Sequence, residues 1–483
     1  SRRHWHWKSS CSSSIFKRVK TRTASHKHRA EPAPQPNPAP QARLKKLLPL
    51  AAGLFCGVCL LKFGNPPIME KWVDAPTNIY EFLFGSPWPL RWAYVLMAAL
   101  ALLSIGSWKW RVPLPLGVLL LPLAWFVWQC LASAHSVDPA LTRATLPHLA
   151  GCVLCFYIGV LALWRSPGIR FFWPGVLAGF LLMVFAAWEQ HFGGLDETRK
   201  YFWTYVYPGM DMYPTDYIRK ITSNRVFGTL FYPNTLAAAI ILLLPPISAK
   251  VWQWTGNGRF TTSARAFILI VWAAITLACM FWSGSKGGWL VLMTAGLIGF
   301  FRWPGIAPRF RVLAAAALIV AGLGGFFWTY ASFFKRGAPS VGARFDYWTA
   351  AVKNASLKPI YGSGPGTFAV PYAQLKTQQS EMSRLVHNDY LQQASDSGIP
   401  GFLFYAAFIT AALFQTWKST SLVHASRPWD SPKLVPFAVW LGLTGWFLHS
   451  FIEFNLYVPA LAWTAFLLLG WLLGTSRPDS LSP

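Results

Sequence analysis

The chain has 483 residues, of which 54% are hydrophobic and only 12% are charged. A soluble protein of this size would carry about twice that charged fraction, so the composition excludes an ordinary soluble domain. The formal net charge of +26 could suggest a nucleic-acid partner. Residues 1–46 alone hold twelve Lys and Arg residues against one acid, Glu31. Anionic membrane lipids explain this tail better than nucleic acid does.

The tail at 1–46 also contains a Pro-rich run at 31–40. Such a segment cannot bury a hydrophobic core, so we expect a disordered cytoplasmic tail. It does not have the form of a secretory signal, because the first apolar stretch lies too far along the chain and further apolar stretches follow it.

Apolar runs recur from residue 47 to residue 474, and many approach the ~20 residues that a helix needs to cross a bilayer. The runs are continuously apolar rather than alternating, which favours helices over a β-barrel. We therefore expect an all-α, polytopic transmembrane domain at 47–474 with about 12 transmembrane helices. The predicted spans are 47–63, 91–107, 112–133, 147–164, 171–190, 226–247, 266–283, 287–301, 311–333, 398–417, 434–452 and 454–474.

The loop charges predict the orientation of these spans. If the N-terminus is cytoplasmic, every inside loop is short and basic, as the positive-inside rule requires. Both termini, including the tail at 475–483, are then cytoplasmic. The long loops at 191–225 and 334–397 face outward, the second of them between the ninth and tenth spans. Loops of this length in a compact protein are usually functional or partly folded.

Two cysteine pairs, Cys56 with Cys59 and Cys152 with Cys155, have CxxC spacing inside apolar runs. No carboxylate accompanies either pair in the sequence. We therefore favour small packing residues over a zinc or redox site.

The second long outer loop carries two candidate functional residues. Ser340 can cap a helix whose first turn holds Arg344. A cation there opposes the helix dipole, so an acidic partner or an anionic ligand would explain it, although an ordinary surface arginine is an equal alternative. His387 opens a second helix, which Gly398 ends, and is a candidate general base. The alternative is a histidine that hydrogen-bonds a loop.

Three other polar features lie near outer span ends. Lys286 follows a Ser-Gly-Ser turn between two spans. His449 and Glu453 have the i, i+4 spacing of an ionisable pair, and such pairs near a bilayer are often functional. Pro233 and Asn234 fall inside an apolar run, where they predict a kink or a polar spot.

Four stretches resemble the O-antigen ligase and O-antigen polymerase superfamily of bacterial inner-membrane glycosyltransferases. The resemblance covers about 226–474 and is most specific in the outer loop. The stretches are GTLFYPNTLAAAIILLLP, WSGSKGGWLVL, the pair ARFDYWTAAVKNASLKPIYGSGPGTF and VHNDYLQQASDSGIPGFLFY, and HSFIEFNLYVPALAWTAFLLLG.

The resemblance implies a GT-C-like fold that moves a glycan from a polyprenyl-diphosphate carrier to an acceptor hydroxyl at the periplasmic face. The acceptor would be a glycan, lipid A–core or a protein. By this resemblance, Arg344 matches the arginine thought to hold the diphosphate, and His387 matches the proposed base. Lys286 falls where the family usually has Arg, and Glu453 falls where it often has Asp.

We also expect Asn388 and His449 to contact the substrate, together with Lys286, Arg344 and Glu453. The outer loops contain no Asp-x-Asp pair, so the reaction predicted is direct, inverting displacement without a metal or other cofactor. A non-enzymatic exporter or flippase is the alternative. It would need ionisable residues in the middle of the spans, whereas here they lie at the outer ends.

Overall fold

The computed structural model describes residues 40–476 except 86, 110–111, 113, 167, 210–217, 219–220, 257, 259, 306, 336 and 424. Most of the predicted tail at 1–46 and residues 477–483 therefore lie outside the described residues. Residues 40–46, which the sequence assigned to the tail, already form the first turns of a helix.

Long helices follow one another through the described part of the chain, where no β-strand is present. They are α1 (Pro40–Lys62), α2 (Leu90–Ile105), α3 (Leu116–Ser133), α4 (Pro139–Leu161), α5 (Phe172–Glu189), α6 (Pro233–Thr255), α7 (Thr262–Trp282), α8 (Lys286–Arg302), α9 (Pro308–Thr329), α10 (Pro339–Leu357), α11 (Asp389–Trp417), α12 (Leu434–His449) and α13 (Pro459–Thr475). The predicted all-α class is confirmed.

Within the described residues, 7 helical segments are long and apolar enough to cross a membrane: α3, α6, α7, α11, Pro139–Arg165, Ile169–Tyr205 and Arg309–Thr329. Three shorter helices, α2, α12 and α13, are also apolar. The protein is thus a helical, multi-pass membrane protein by length and composition. The larger number of about 12 spans stays a prediction.

Helix α13 forms the centre of the bundle and is buried from Pro459 to Gly474. It packs most closely on α4, and glycines permit the approach from both sides. A Cβ on Gly159 would lie 2.3 Å from the Leu467 carbonyl oxygen, and one on Gly470 would lie 2.1 Å from that of Phe156. Small residues at such crossings let two helix backbones come together.

Two helices begin at prolines, and neither start coincides with the start of the predicted span. Helix α4 begins at Pro139 rather than at 147, with Asp138 as a cap that accepts from the Ala140 and Leu141 amides. Helix α6 begins at Pro233 rather than at 226. Pro233 therefore does not kink a helix, because proline at the first position lacks only an amide that the helix leaves unpaired anyway. Asn234 lies in the first turn.

The two CxxC pairs lie in the hydrophobic core. Cys56, Cys59, Cys152 and Cys155 are fully buried free thiols. In the described part of the chain, no group of three or more His, Cys, Asp or Glu side chains is arranged to hold a metal.

Candidate functional site

The segment between α9 and α11 folds around a small hydrophobic core of its own. This core joins α10 to the short helix Ala369–Leu375 and to the chain just before α11. Its buried members are Tyr347, Ala350, Ala351, Phe368, Tyr372 and Val386. Helix α10 and the residues that precede α11 are therefore fixed relative to each other.

The N-terminus of α10 differs from the prediction. Ala338 is the capping residue, at a positive φ of 48°, and it makes no side-chain capping bond. Ser340 already lies inside the helix, where its carbonyl oxygen accepts a hydrogen bond from Arg344 Nη1 at 3.2 Å. The predicted Ser340 cap is wrong, and Arg344 lies in the second turn of α10 rather than in the first, because the helix begins at Pro339.

Glu453, between α12 and α13, joins residues from three distant parts of the chain. Its Oε1 pairs with Arg344 Nη2 and accepts from Asn234 Nδ2 at 2.5 Å. Its Oε2 lies 2.9 Å from His387 Nδ1. We call these four residues the Glu453 cluster, together with Arg225, which donates a hydrogen bond to Asn234 Oδ1. Both oxygens of one carboxylate thus hold the cluster together.

Glu453 is the most buried charge of the cluster. Its side chain is 5% exposed, compared with 20% for Arg344 and 25% for His387. Burial alone would raise the pKa of Glu453, but the Arg344 guanidinium and the His387 ring hold it well below its usual range. The carboxylate is therefore ionised at neutral pH, beneath a cation and an imidazole that both reach solvent.

His387 is held in an unusual conformation. Its φ is 54°, in the left-handed region that residues other than glycine seldom adopt. Tyr347 stacks on its ring at 5.7 Å between centroids, and Phe454 meets the ring edge-on at 4.8 Å. Backbone strain of this kind is found mostly at functional sites.

The contact with Glu453 fixes which ring nitrogen of His387 can react. An Nδ1–H that donates to the carboxylate leaves the lone pair on Nε2. The structure gives Nε2 no hydrogen-bond partner among the described residues. A base with this arrangement is oriented by a buried carboxylate and presents its free nitrogen to the solvent side.

Asn388 has a structural role in this geometry. It caps α11, and its Oδ1 accepts from the Leu391 amide at 3.0 Å. The neighbouring Asp389 amide donates to the Ser450 carbonyl at 2.8 Å, and Asp389 Oδ2 accepts from the Leu456 amide at 2.8 Å. These bonds dock the start of α11 onto the segment that carries Glu453.

The helix that begins at Asp389 ends at Gly398, as predicted. Gly398 has a φ of 71° and non-helical geometry, and a second helical segment follows it directly to Trp417, so α11 consists of two helices joined across a kink. A Cβ on Gly398 would lie 2.1 Å from the Ile360 carbonyl oxygen. The helix therefore bends where it packs against the backbone at Ile360.

Arg225 is the member of the cluster that the sequence analysis missed. Its Nε donates to the Ser283 carbonyl at 2.6 Å, and its Nη2 donates to Asn234 Oδ1 at 2.7 Å. Burial lowers the pKa of Arg225, and the charge of Glu453 opposes that shift. A lone arginine directly before an apolar run is the one signal in the sequence that could have identified it.

Lys286 lies at the N-terminus of α8, beside the Glu453 cluster. Its Nζ is 4.2 Å from the centre of the Phe333 ring and 4.9 Å from that of Tyr330. A Cβ on the next residue, Gly287, would meet the Ile452 side chain at 2.4 Å. The Ile452 carbonyl in turn accepts from Arg344 Nε at 3.1 Å. The structure thus brings Lys286 and Arg344 to the same end of the bundle.

His449 is not paired with Glu453 on one helix, because α12 ends at His449 and Glu453 lies in the following turn. The two side chains therefore do not share a helix face, although their charges still interact. His449 is fully buried, and its Nδ1 lies 3.2 Å from Asn455 Oδ1. Direct contact with a substrate would require this side chain to become exposed.

Residues 268–406 match the model of a family described as O-antigen ligase. The predicted resemblance to that superfamily is confirmed. The matched region contains Lys286, Arg344 and His387, whereas Arg225, Asn234 and Glu453 lie outside it.

The chain is also similar to an uncharacterized protein of Haemophilus influenzae, with 25% identity over 178 residues. The match covers 32% of this chain and 44% of that protein, so it spans less than half of the relative's length. Together, the comparisons and the apolar helices indicate a multi-pass membrane protein whose residues 268–406 are similar to O-antigen ligases.

Proposed function

We propose that this protein is a glycosyltransferase of the bacterial inner membrane. It moves a glycan from a polyprenyl-diphosphate carrier to an acceptor hydroxyl at the periplasmic face. The acceptor is a glycan, lipid A–core or a protein. The observation that carries this proposal is the joint contact of Glu453 with Arg344 and His387, which come from different segments of the matched region.

In the proposed reaction, His387 Nε2 takes the proton from the acceptor hydroxyl. The acceptor oxygen forms a bond to the anomeric carbon, and the bond from that carbon to the diphosphate oxygen breaks. The electron pair leaves with the diphosphate, and the configuration at the anomeric carbon inverts. Glu453 stabilises the imidazolium that forms, because its charge lies 2.9 Å from His387 Nδ1.

Arg344 and Lys286 stabilise the departing diphosphate in this mechanism. A guanidinium has five N–H donors, and Arg344 uses three of them on Ile452, Ser340 and Glu453. Two donors therefore remain for phosphate oxygens. Because these side chains supply positive charge at the leaving group, the mechanism requires no divalent cation.

The test is a transfer assay with the purified full-length protein in nanodiscs. A polyprenyl-diphosphate glycan is supplied with each class of acceptor in turn. Glycosylated acceptor and free polyprenyl diphosphate should appear in equal amounts, with and without EDTA. Movement of intact donor across the bilayer without release of diphosphate would contradict the proposal and support a flippase. Loss of transfer in EDTA, with rescue by Mg²⁺ or Mn²⁺, would refute the role of the two cations.

A further inference from the structure

Helix α10 carries a row of apolar side chains on a side that the rest of the protein leaves largely uncovered. Phe345 is 58% and Val352 is 52% exposed. The spacing of three and four residues places the whole row on one side of the helix. We call this row the α10 stripe, and its members are Val341, Phe345, Trp348 and Val352. A contiguous exposed apolar surface of this kind marks a site of interaction.

The other two sides of α10 have different surroundings. Tyr347 and Ala351 are buried in the small core of the outer segment. Asp346, Thr349 and Lys353 are exposed and form a polar side. A helix with one side on protein, one apolar side and one polar side is typical of a helix that lies at the boundary between lipid and water.

Both ends of α10 contact the same end of the helical bundle. Near its start, Arg344 Nε donates to the Ile452 carbonyl at 3.1 Å, just after the end of α12. Just beyond its end, the Pro359 carbonyl accepts from the Ile399 amide at 2.8 Å, where the second segment of α11 begins. This segment and α12 are antiparallel neighbours that also touch at their far ends. Helix α10 has 19 residues and is about 28 Å long, so it lies across the end of the bundle and does not project away from it.

The apolar surface of α10 continues onto α11. At the end of α10, Leu357 is 67% and Ile360 is 55% exposed. At the start of the second segment of α11, Ile399 is 43% and Leu403 is 55% exposed. The backbone bond between Pro359 and Ile399 brings these two surfaces together. Helix α11 is long and apolar enough to cross a membrane, so the lipid that covers Leu403 also reaches α10.

The α10 stripe is also connected to the Glu453 cluster. Phe345 meets Trp348 edge-on at 5.4 Å between ring centroids. Trp348 is half-buried, and its Nε1 donates to the His387 carbonyl at 3.4 Å. Tryptophan is common at the level of lipid headgroups, where its ring is apolar and its N–H is polar. The contacts of the stripe therefore reach the backbone of the strained histidine.

We propose that the α10 stripe binds the phospholipid surface of the membrane, with its side chains among the acyl chains and the polar side of α10 in water. Amphipathic helices of this kind bury their apolar side about 5–10 Å into the boundary between headgroups and acyl chains. The occupant is bulk phospholipid and not the polyprenyl donor. The docking does not require the proposed function. Under that function, it also holds Arg344 at the membrane surface and restrains His387 through Trp348.

The test places the photo-cross-linking amino acid p-benzoylphenylalanine in the full-length protein, in nanodiscs of phosphatidylethanolamine and phosphatidylglycerol. It replaces Phe345 or Val352 in the stripe. Thr349 and Lys353 on the polar side are the matched control positions, and Leu403 on α11 is the lipid-facing reference. Mass spectrometry should find phospholipid adducts at the stripe at a level similar to Leu403 and roughly tenfold above the polar side.

Three results would overturn the inference. The first is a level of phospholipid adducts at the stripe that does not exceed the level on the polar side. The second is a cross-link between two copies of the chain, which would show that a second copy covers the stripe. The third is competition by an added sugar-free isoprenoid diphosphate, which would assign the stripe to the donor. We expect this addition to leave the phospholipid adducts unchanged.

A charge within the stripe should weaken the docking. In the protein with the cross-linker at Phe345, Val352→Asp should lower the phospholipid adducts roughly tenfold, because a carboxylate resists transfer out of water. Thr349→Asp, on the polar side, should leave them unchanged. Val341→Asp provides a second variant if Val352→Asp does not fold. Unchanged adducts in the folded stripe variants would refute the docking. Adducts that form while no donor supports transfer would leave the docking intact and refute the proposed function.

Discussion

Arg302 and Arg344 lie at opposite ends of the bundle in very different surroundings. Arg302 ends α8, and its guanidinium lies 4.2 Å from the centre of the Trp417 ring and 4.1 Å from that of Trp440. It is only 6% exposed. Arg344 pairs with Glu453 and keeps 20% of its side chain exposed.

The difference shows why a cation near a span end need not be functional. Arg302 Nη2 donates to the Trp417 carbonyl, so this guanidinium ties α8 to α11. Its neighbours are rings and backbone that a ligand would have to displace. Arg344 shares a carboxylate with a histidine, and two of its five N–H donors have no partner among the described residues. The sequence alone does not separate the two arginines, and only their partners distinguish the anchor from the proposed site.

The largest effect should come from His387, because it has no substitute as a base. His387→Asn keeps a side chain that tolerates positive φ and removes the imidazole. Turnover should fall by roughly 10²–10⁴-fold, the range for loss of a general base. The measurement is transfer per folded molecule in nanodiscs. Full activity in this variant would end the proposed mechanism, whereas reduced protein level with normal specific activity would indicate a structural histidine.

A paired substitution tests the contrast between the two arginines directly. Arg344→Lys should lower turnover by roughly 10- to 100-fold, because an ammonium cannot replace the planar donors of a guanidinium. Arg302→Lys should leave turnover per folded molecule unchanged and lower the melting temperature, since the stacking on Trp417 and Trp440 weakens. The reverse pattern would show that Arg302 serves the reaction and that Arg344 serves only stability.

The depressed pKa of Glu453 predicts a pH dependence of stability. Its pKa lies below the ordinary value of 4.5 in the folded protein, so the ionised carboxylate stabilises the fold above that pH. This stabilisation should be lost as the pH falls below 4.5, by up to about 1.4 kcal/mol per pH unit. Melting curves of the wild type and Glu453→Gln should converge over this range. A constant difference between them would contradict the ionised state.

The smallest effect is expected from Asn388, which caps α11. Asn388→Ala should cost about 1 kcal/mol of stability, typical of a lost helix cap. Asn388→Ser, which can still cap, should restore most of it. The KM for the donor should remain unchanged in both variants. An increase in KM without a change in melting temperature would instead support the substrate contact that the sequence suggested.

The sequence predicted the helical bundle well, because long apolar runs are a strong signal. It failed at helix starts such as Pro139 and Pro233, where the apolar run and the helix do not begin together. The 12 predicted spans stay untested, since α12 and α13 are apolar but shorter than a typical span. Helix length alone does not decide which helices cross the membrane.

For the site, the sequence identified Arg344, His387 and Glu453 but not their contacts. Glu453 lies 109 residues from Arg344 and 66 from His387, and local spacing carries no information at such separations. The i, i+4 pattern instead suggested His449 as the partner of Glu453. Arg225 was missed because its partners, Asn234 and the Ser283 carbonyl, are uncharged.

The central position of α13 has a consequence for biosynthesis. This helix is buried from Pro459 to Gly474, and its main neighbour, α4, is made about 300 residues earlier. Until α13 is made, the glycine-lined face of α4 lacks the helix that it packs against in the folded protein. The ribosome must therefore pass residue 475 before the interior can close. An incomplete nascent chain would expose this unfilled interior and would lack the assembled site. Truncated products should therefore be inactive, and membrane quality-control proteases should degrade them.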